Sequence, residues 1–495
     1  MLNGKKLTAL LLCAMLAAQM TACGGSDTPA GSDDTTASAG GDTTAAGSGE
    51  YAYPYPATGF GGEEFVMLNM DDIYNMHSVM TREEATGEAL DDAIYNRNRL
   101  IEEKFDIEIK EELVTETWEF LAIPEAVRTT VMAGDDAYDV CFVPLAASSG
   151  LIADGCFFDL LEIEAMQLDK PWWYKSFNDA ITIGGKLYGA AGGLNLLIHD
   201  ATRIMAFNYE MMDKLKLEKP YDLVREGKWT LDALNTYLVA AAALNGDDSY
   251  AWNQNGKSTY GYSHNQDNLI SFIFGAGEIL FTKKGDDLVY AGATERFYNL
   301  FDKLSAVITT ADGKVFRGEA GDDMDPVEGG YIYAFKTGRP LFGMAEVNKF
   351  QVFRDLKFDY GVVPYPKFDE KQDRYYSNAW EGATSAFIPV TNPDAEKTAL
   401  ILDAMAYEGE KSVIPTFRNI SVEQKGLRND DSIEMLGIVT DSLVPLYHSI
   451  FSVGTAMLTD LNAAVWDHTG AFASAVAAHE STIKTDLEKI MKNWQ

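Results

Sequence analysis

Histidine and cysteine are scarce in this chain, at six and four of 495 residues. The histidines (His77, His199, His264, His448, His468 and His479) are scattered, and no cluster of Cys and His has metal-ligand spacing. Neither a metal nor any other cofactor is expected. Basic residues are also few, 40 Lys and Arg against 75 Asp and Glu, for a net charge of −35. Such a surface repels nucleic-acid phosphates and anionic lipid headgroups, so neither is an expected partner. No nucleophile elbow, zinc motif or phosphate loop is present. The apolar run Leu7–Ala18 is too short for a comfortable membrane span.

That run follows Lys5 and Lys6 and has the form of a processing signal. Met20-Thr21-Ala22-Cys23 resembles a bacterial lipobox, with Met20 in the place of the usual Leu. The resemblance implies a signal peptide over 1–22, cleavage before Cys23 and a lipid on its sulfur. Two acyl chains are about what stable anchoring needs. Without Lys5 and Lys6, 38 basic residues face 75 acidic ones, a net −37. Gly24 to about Gly49 is Ser, Thr, Gly, Ala and Asp with almost no apolar bulk, so a disordered linker is expected, over 23–59 as a whole. Of the four cysteines, Cys141 and Cys156 belong to the body. Two buried thiols are expected, and a disulfide is the alternative that spacing cannot decide.

The length asks for two lobes or domains, and 46% hydrophobic residues suffice to build them. Phe65–Met70 reads as a strand, and the stretch around Leu90, Ala93, Ile94 and Ile101 as a helix. A strand at Ile107–Ile109, a helix at Ala122–Met132 and a strand at Tyr138–Val143 follow. This β-α-β-α-β rhythm predicts a parallel sheet with helices on its faces. Ile204–Phe207 reads as a buried strand, Tyr209–Leu217 as a helix, and Thr230 as the N-cap of a helix with Leu231, Leu234, Leu238 and Ala241 on one face. A hairpin is expected over Phe281–Tyr290, and a last helix over Ala471–Met491 with Phe472, Val476, Ile483, Leu487 and Ile490 inward. Asn245-Gly246-Asp247-Asp248-Ser249 lacks the alternating oxygens of a calcium loop, so no calcium is expected there.

Several short stretches, in order, resemble the family 1 extracellular solute-binding proteins of ABC importers, which are maltose-binding-protein-like. They are Leu187-Tyr188-Gly189, Phe207-Asn208-Tyr209-Glu210, Lys228-Trp229-Thr230-Leu231-Asp232 and Ala133-Gly134-Asp135-Asp136 before Tyr138-Asp139-Val140. Phe335-Lys336-Thr337-Gly338, Tyr360-Gly361-Val362-Val363-Pro364 and Asn392-Pro393-Asp394-Ala395-Glu396 complete the set. Lys170-Pro171-Trp172-Trp173 and Thr86 to Asn98 are similar to elements of a Gram-positive lipoprotein subgroup. Tyr209 stands where the family has Lys, and Asp91 where the subgroup has Asn.

The resemblance implies an α/β, two-lobed periplasmic-binding-protein-like (type II) fold, with a hinge between discontinuous lobes. The crossings divide it into 60–192 plus 362–412 and 193–361 plus 413–495. Ligand would sit between the lobes at strand ends. A sugar needs flat aromatic faces and planar polar side chains. The ligand-binding candidates are therefore Asp71, Asp72, Tyr74, Trp172, Trp173, Asn195, Asp200, Trp380 and Glu381, with lipidation at Cys23 and no catalytic or metal residues. The expected function is delivery of a ligand, an oligosaccharide or other carbohydrate, to ABC permease subunits by a monomeric protein anchored on the outer face of the cell membrane. A glycan-acting surface enzyme, and a sensor or peptide-binding protein of the same fold, are the alternatives.

Overall fold

The structure is a computed structural model, and it describes residues 53–57, 59–72, 76–117, 119–265, 269–318, 329–419 and 429–494. The leader, Cys23, most of the tether and Tyr74 lie outside the described residues.

Two five-stranded sheets organise the chain. The first holds β1 (Glu63–Met70), β2 (Ile107–Val114), β3 (Val140–Pro144), β4 (Gly189–Ala190) and β12 (Thr384–Phe387), in the order β2-β1-β3-β12-β4. The second holds β5 (Arg203–Asn208), β6 (Tyr260–Asn265), β9 (Val315–Gly318), β10 (Pro340–Glu346) and β11 (Tyr360–Val363), in the order β11-β5-β10-β6-β9. A separate hairpin joins β7 (Phe281–Lys284) to β8 (Asp287–Tyr290). β1 is parallel to β2 and β3, as the β-α-β rhythm predicts. Every residue of β3 and β5 is buried, which is why both read as short apolar runs rather than alternating ones.

The helices form where side-chain spacing allows one face to bury. Ala89–Phe105 buries Leu90, Ile94, Ile101 and Phe105, and ends on Asp106 in the left-handed region at φ 49°. Leu231–Ala241 begins at Thr230, whose hydroxyl accepts from the Ala233 N–H. Phe472–Trp494 buries all five residues of its predicted face together with Trp494. Each fully buried side chain of that kind is worth about 1.5–3 kcal/mol relative to exposure. Cys141 and Cys156 are buried free thiols.

The chain leaves the first sheet after β4 and returns to it at β12. These two crossing segments run side by side: Arg203 N–H donates to Asn378 O, and Trp380 N–H to Ala201 O. β11, expected to lead back into the first lobe from residue 362, pairs with β5 along its whole length. The return therefore comes after Val363, because Val362 and Val363 fill the core beside β5. A further crossing lies between the helix Ala395–Glu408, packed on Ala89–Phe105, and the helix Asp430–Asp441, packed on β11. Ala395–Glu408 continues through a π-turn, Gly409–Val413, into the short helix Ile414–Phe417. A Cβ on Gly409 would collide with the Gly193 carbonyl, so glycine is required for the π-turn to touch the crossing segment.

Order also begins earlier than the sequence suggested. Tyr53 and Tyr55 dock on the first lobe: Tyr53 OH donates to Asp403 Oδ2 at 2.9 Å and Tyr55 OH to Glu408 Oε1 at 2.5 Å. The linker expected to run to residue 59 is anchored from Tyr53, which is 6% exposed. Tyr53 and Tyr55 alternate with Pro54 and Pro56 inside the stretch expected as linker, but their rings pack on Trp172, Tyr407 and Phe105.

Candidate ligand cleft

Ligands on open α/β sheets bind at the C-terminal strand ends. In the first sheet that edge carries Asp71 after β1, the end of β3 and the start of antiparallel β12. In the second it carries the ends of β6 and β10 and the start of antiparallel β5. Buried polar atoms in folded proteins are nearly always hydrogen-bonded. Along these edges a set of them has no protein partner. Asp71 Oδ1, Asp200 Oδ1 and Ser385 Oγ lie on the first-sheet side and its crossing. Arg203 Nε and Nη1, Ser263 Oγ, Asn265 Oδ1, Ser271 Oγ and Trp466 Nε1 lie on the second-sheet side. Leaving such a group dry costs about 1–3 kcal/mol, so these atoms call for water or a ligand.

The second-sheet groups connect through short contacts. Arg203 is 4% exposed; its Nη2 lies 3.4 Å from Glu381 Oε2 and its Nε 3.9 Å from Glu346 Oε1. The β5–β10 register sets Arg203 opposite Glu346. The hydroxyls of Tyr262 and Tyr365 are 3.0 Å apart, and the His264 ring lies 5.4 Å from Tyr262 and 5.9 Å from Trp466. The Arg317 guanidinium sits 4.8 Å above the Trp466 ring. Burial pushes the His448 pKa down to about 4; the Glu381 charge opposes this and the Arg203 charge adds to it.

On the first-sheet side, His77 donates its backbone N–H to Asp200 Oδ2 at 2.6 Å and holds Nδ1 3.0 Å from the same oxygen. Burial lowers the His77 pKa, but the hydrogen bond and charge of Asp200 outweigh it and the net shift is upward. His77 Nε2 lies 3.4 Å from Gln351 Nε2, and its ring meets Phe417 edge-on at 5.8 Å. His77 thus ties the loop after β1 to a crossing segment and to the residues after β10.

The sequence-predicted residues divide into two groups. Asp71 accepts from Thr115 Oγ1 through Oδ2 and keeps Oδ1 without a partner. Asp72 accepts from Ser78 N–H, Ser78 Oγ and Val79 N–H and so pins its own loop. Asn195 donates to Thr384 Oγ1 at 3.3 Å, and Asp200 is fully buried. Trp380 is half-buried and tilted 5.2 Å from Phe120; a Cβ on Gly382 would collide with its indole. Trp380 and Glu381 border a cavity of only about 20 Å³ with otherwise largely apolar walls. Trp172 and Trp173, in contrast, are 4% and 2% exposed, and both indole N–H groups donate to Asp403 Oδ1, at 2.9 and 2.7 Å. Their edges are used inside the first lobe, and no open face remains for a ligand.

Sequence reasoning missed the second-sheet edge altogether: Arg203, Ser263, Asn265, Ser271 and Trp466. The signal was present in Arg203 at the head of the apolar run Ile204–Phe207 and in Ser263-His264-Asn265 closing β6. A polar residue at the end of an apolar strand is where a cleft begins.

Among the described residues no group of three or more His, Cys, Asp or Glu could hold a metal ion. In the loop compared with a calcium site, Asp247 Oδ2 accepts from the N–H groups of Lys257 and Ser258 and from Ser258 Oγ. Among the described residues no helix is long and apolar enough to cross a membrane.

No protein-family model matches the chain, and no curated protein matches it. Solved structures do. An ABC substrate-binding protein of Listeria monocytogenes in complex with cycloalternan aligns at 14% identity and TM-score 0.52, over 87% of this chain and 98% of that one. The galacto-N-biose-/lacto-N-biose I-binding protein of the ABC transporter from Bifidobacterium longum, in complex with lacto-N-biose, aligns at 14% identity and TM-score 0.54, over 87% and 98%. An ABC transporter solute-binding protein from Thermotoga lettingae bound with alpha-D-tagatose aligns at 14% identity and TM-score 0.52, over 88% and 100%. At this identity the likeness is one of fold, and the chain has the two-lobed α/β fold of these solute-binding proteins.

Proposed function

We propose that the chain is an extracellular solute-binding protein that delivers a carbohydrate, an oligosaccharide, to an ABC importer. The observation that carries this reading is the two strand edges, linked by Arg203 and Glu381, with partnerless buried polar groups on each. Trp380 on one side and Trp466 on the other add aromatic surface. Sugars need both kinds of group, hydrogen-bonding partners for hydroxyls and flat apolar faces for C–H surfaces. The ligands named for the three similar structures are carbohydrates and support the same class.

In this reading ligand touches both lobes and so favours the closed state, since only differential affinity shifts such an equilibrium. Asp71, Asp72, Tyr74, Asn195, Asp200, Trp380 and Glu381 contribute from the first lobe and the crossings, and Arg203, Asn265, Ser271 and Trp466 from the second. The lobes divide near residue 192 on the way out and after Val363 on the way back. Cys23 carries the lipid, the body works as a monomer, and permease subunits receive the ligand.

Thermal unfolding of the full-length chain against a panel of oligosaccharides tests this. At a hundred times the dissociation constant, ligand adds roughly 2.7 kcal/mol to stability. A shift with one glycan series, recovered intact, is expected. A shift with the glycan cleaved would establish an enzyme instead, and no shift across the panel would remove carbohydrate as the ligand.

A further inference from the structure

The motif Lys170-Pro171-Trp172-Trp173 stands apart in the sequence, yet its indoles offer no open face to a ligand. What they do offer is a seat for the segment that precedes β1. Tyr53 shares the Asp403 carboxylate with both indoles, and its ring lies 6.1 Å from Trp172 and 5.3 Å from Tyr407. Trp172 and Tyr407 meet edge-on at 5.2 Å, so the three rings form one cluster beside the helix Ala395–Glu408.

Tyr55 repeats the pattern two residues on. Its hydroxyl donates to Glu408, its ring meets Phe105 at 5.9 Å, and the Lys104 ammonium lies 5.8 Å from the ring centre. Phe60 then stacks on Phe105 at 6.1 Å, and the Phe60 and Gly62 N–H groups donate to Phe105 O and Asp106 O. The segment thus grips two helices, Ala89–Phe105 and Ala395–Glu408, which also pack on each other.

The sequence suits such seating. Pro54 and Pro56 fix φ near −65° and restrict the residue before each, so docking costs little backbone freedom. Attachment to the same chain gives the segment a high effective concentration at its seat. Sheet pairing holds the chain from Glu63 onward and requires no aromatic segment upstream. The stretch from Gly24 to about Gly49, with almost no apolar bulk, has nothing comparable to dock.

We propose that Tyr53–Phe60 is a clamp that seats the end of the tether on the first lobe, so that a load on the tether is carried by the helices Ala89–Phe105 and Ala395–Glu408 rather than by β1. The first lobe is then the held lobe, and the second is the one free to swing. What holds the far end of the tether rests on the importer reading above, with its lipid at Cys23; the clamp itself does not.

The test measures spin–spin distances by pulsed electron paramagnetic resonance on the full-length chain, with nitroxides at Ala57→Cys and Met132→Cys. Both positions are exposed, and Met132 belongs to a first-lobe helix. Cys13→Ser and Cys23→Ser remove the leader and tether thiols, and Cys141 and Cys156 are buried. With Cys23 replaced, no lipid enters the measurement, so failure of the clamp and failure of the anchor are read separately. One narrow distance peak is expected, and Tyr53→Ala with Tyr55→Ala should widen it at least about twofold. Should that variant fail to fold, Tyr53→Phe with Tyr55→Phe replaces it, with a smaller widening expected. Hydrogen exchange at the Phe60 and Gly62 amides should quicken in the same variants. A broad distribution in the parent chain would overturn the clamp. A peak that stays narrow in the variants, with exchange unchanged, would overturn it as well.

Discussion

Around Asp403, in the first lobe, one carboxylate accepts from the indoles of Trp172 and Trp173, the hydroxyl of Tyr53 and the amide of Gln167. Around Arg203, at the edge of the second sheet, a guanidinium keeps two nitrogens without hydrogen-bond partners, and Ser263, Ser271 and Trp466 do the same nearby. Both regions are buried, polar and rich in aromatic rings. They differ in whether their hydrogen bonds are complete. A complete network rigidifies a core, and an incomplete one is a place where something else completes it. Burial of a tryptophan therefore says little about function until its N–H is followed to a partner.

Breaking the complete network should have the largest effect on stability. Asp403→Ala strands two buried indole N–H groups, at about 1–3 kcal/mol each, whereas the Tyr53 hydroxyl keeps the Leu400 carbonyl at 3.3 Å. Urea denaturation should show a loss of at least about 2 kcal/mol, while the molecules that remain folded keep their affinity for the glycan found by the panel. A small loss would mean that water reaches this cluster and that it is not closed.

Acidification sharpens the comparison next. His199 and His448 are held neutral in the fold, with pKa values near 3 and near 4. Below about pH 6.5 the unfolded chain binds protons at both before the folded chain does, so stability falls as pH drops from 6.5 toward 4. His77 acts in the opposite sense. Its folded pKa is raised, so its contribution is full below about 6.5 and is lost as pH rises through the folded value. Two groups outweigh one, and the urea midpoint should be lower at pH 5 than at pH 7.5. In a His199→Gln, His448→Gln variant most of that difference should vanish. An undiminished difference would assign the pH response to other groups.

Much of the scaffold was legible in the sequence. The strand Ile204–Phe207, the cap at Thr230, the hairpin turn near Gly285 and the inward face of the last helix all follow from local periodicity and capping, which act within a few residues. Of the candidate site, only one side was legible. Asp71, Asp200 and Trp380 sit at strand ends or a crossing, and strand ends can be read from a sequence. Trp172 and Trp173 misled because their partner, Asp403, lies about 230 residues away. The second-sheet edge stayed hidden for a similar reason. Arg203, Ser271 and Trp466 come together only through sheet pairing and helix packing, and no spacing along the chain reports that.

The central claim is that the incomplete edge is the binding surface, and Ser271→Ala together with Trp466→Phe tests it most directly. Each removes a polar atom that has no protein partner, so each should leave the unfolding midpoint nearly unchanged or slightly higher. The double variant should weaken binding of the panel's glycan by at least about fivefold, since two hydrogen bonds at about 0.5–1.5 kcal/mol each amount to that. Unchanged affinity in the double variant, with stability lost instead, would contradict the account and mark the second-sheet edge as part of the core.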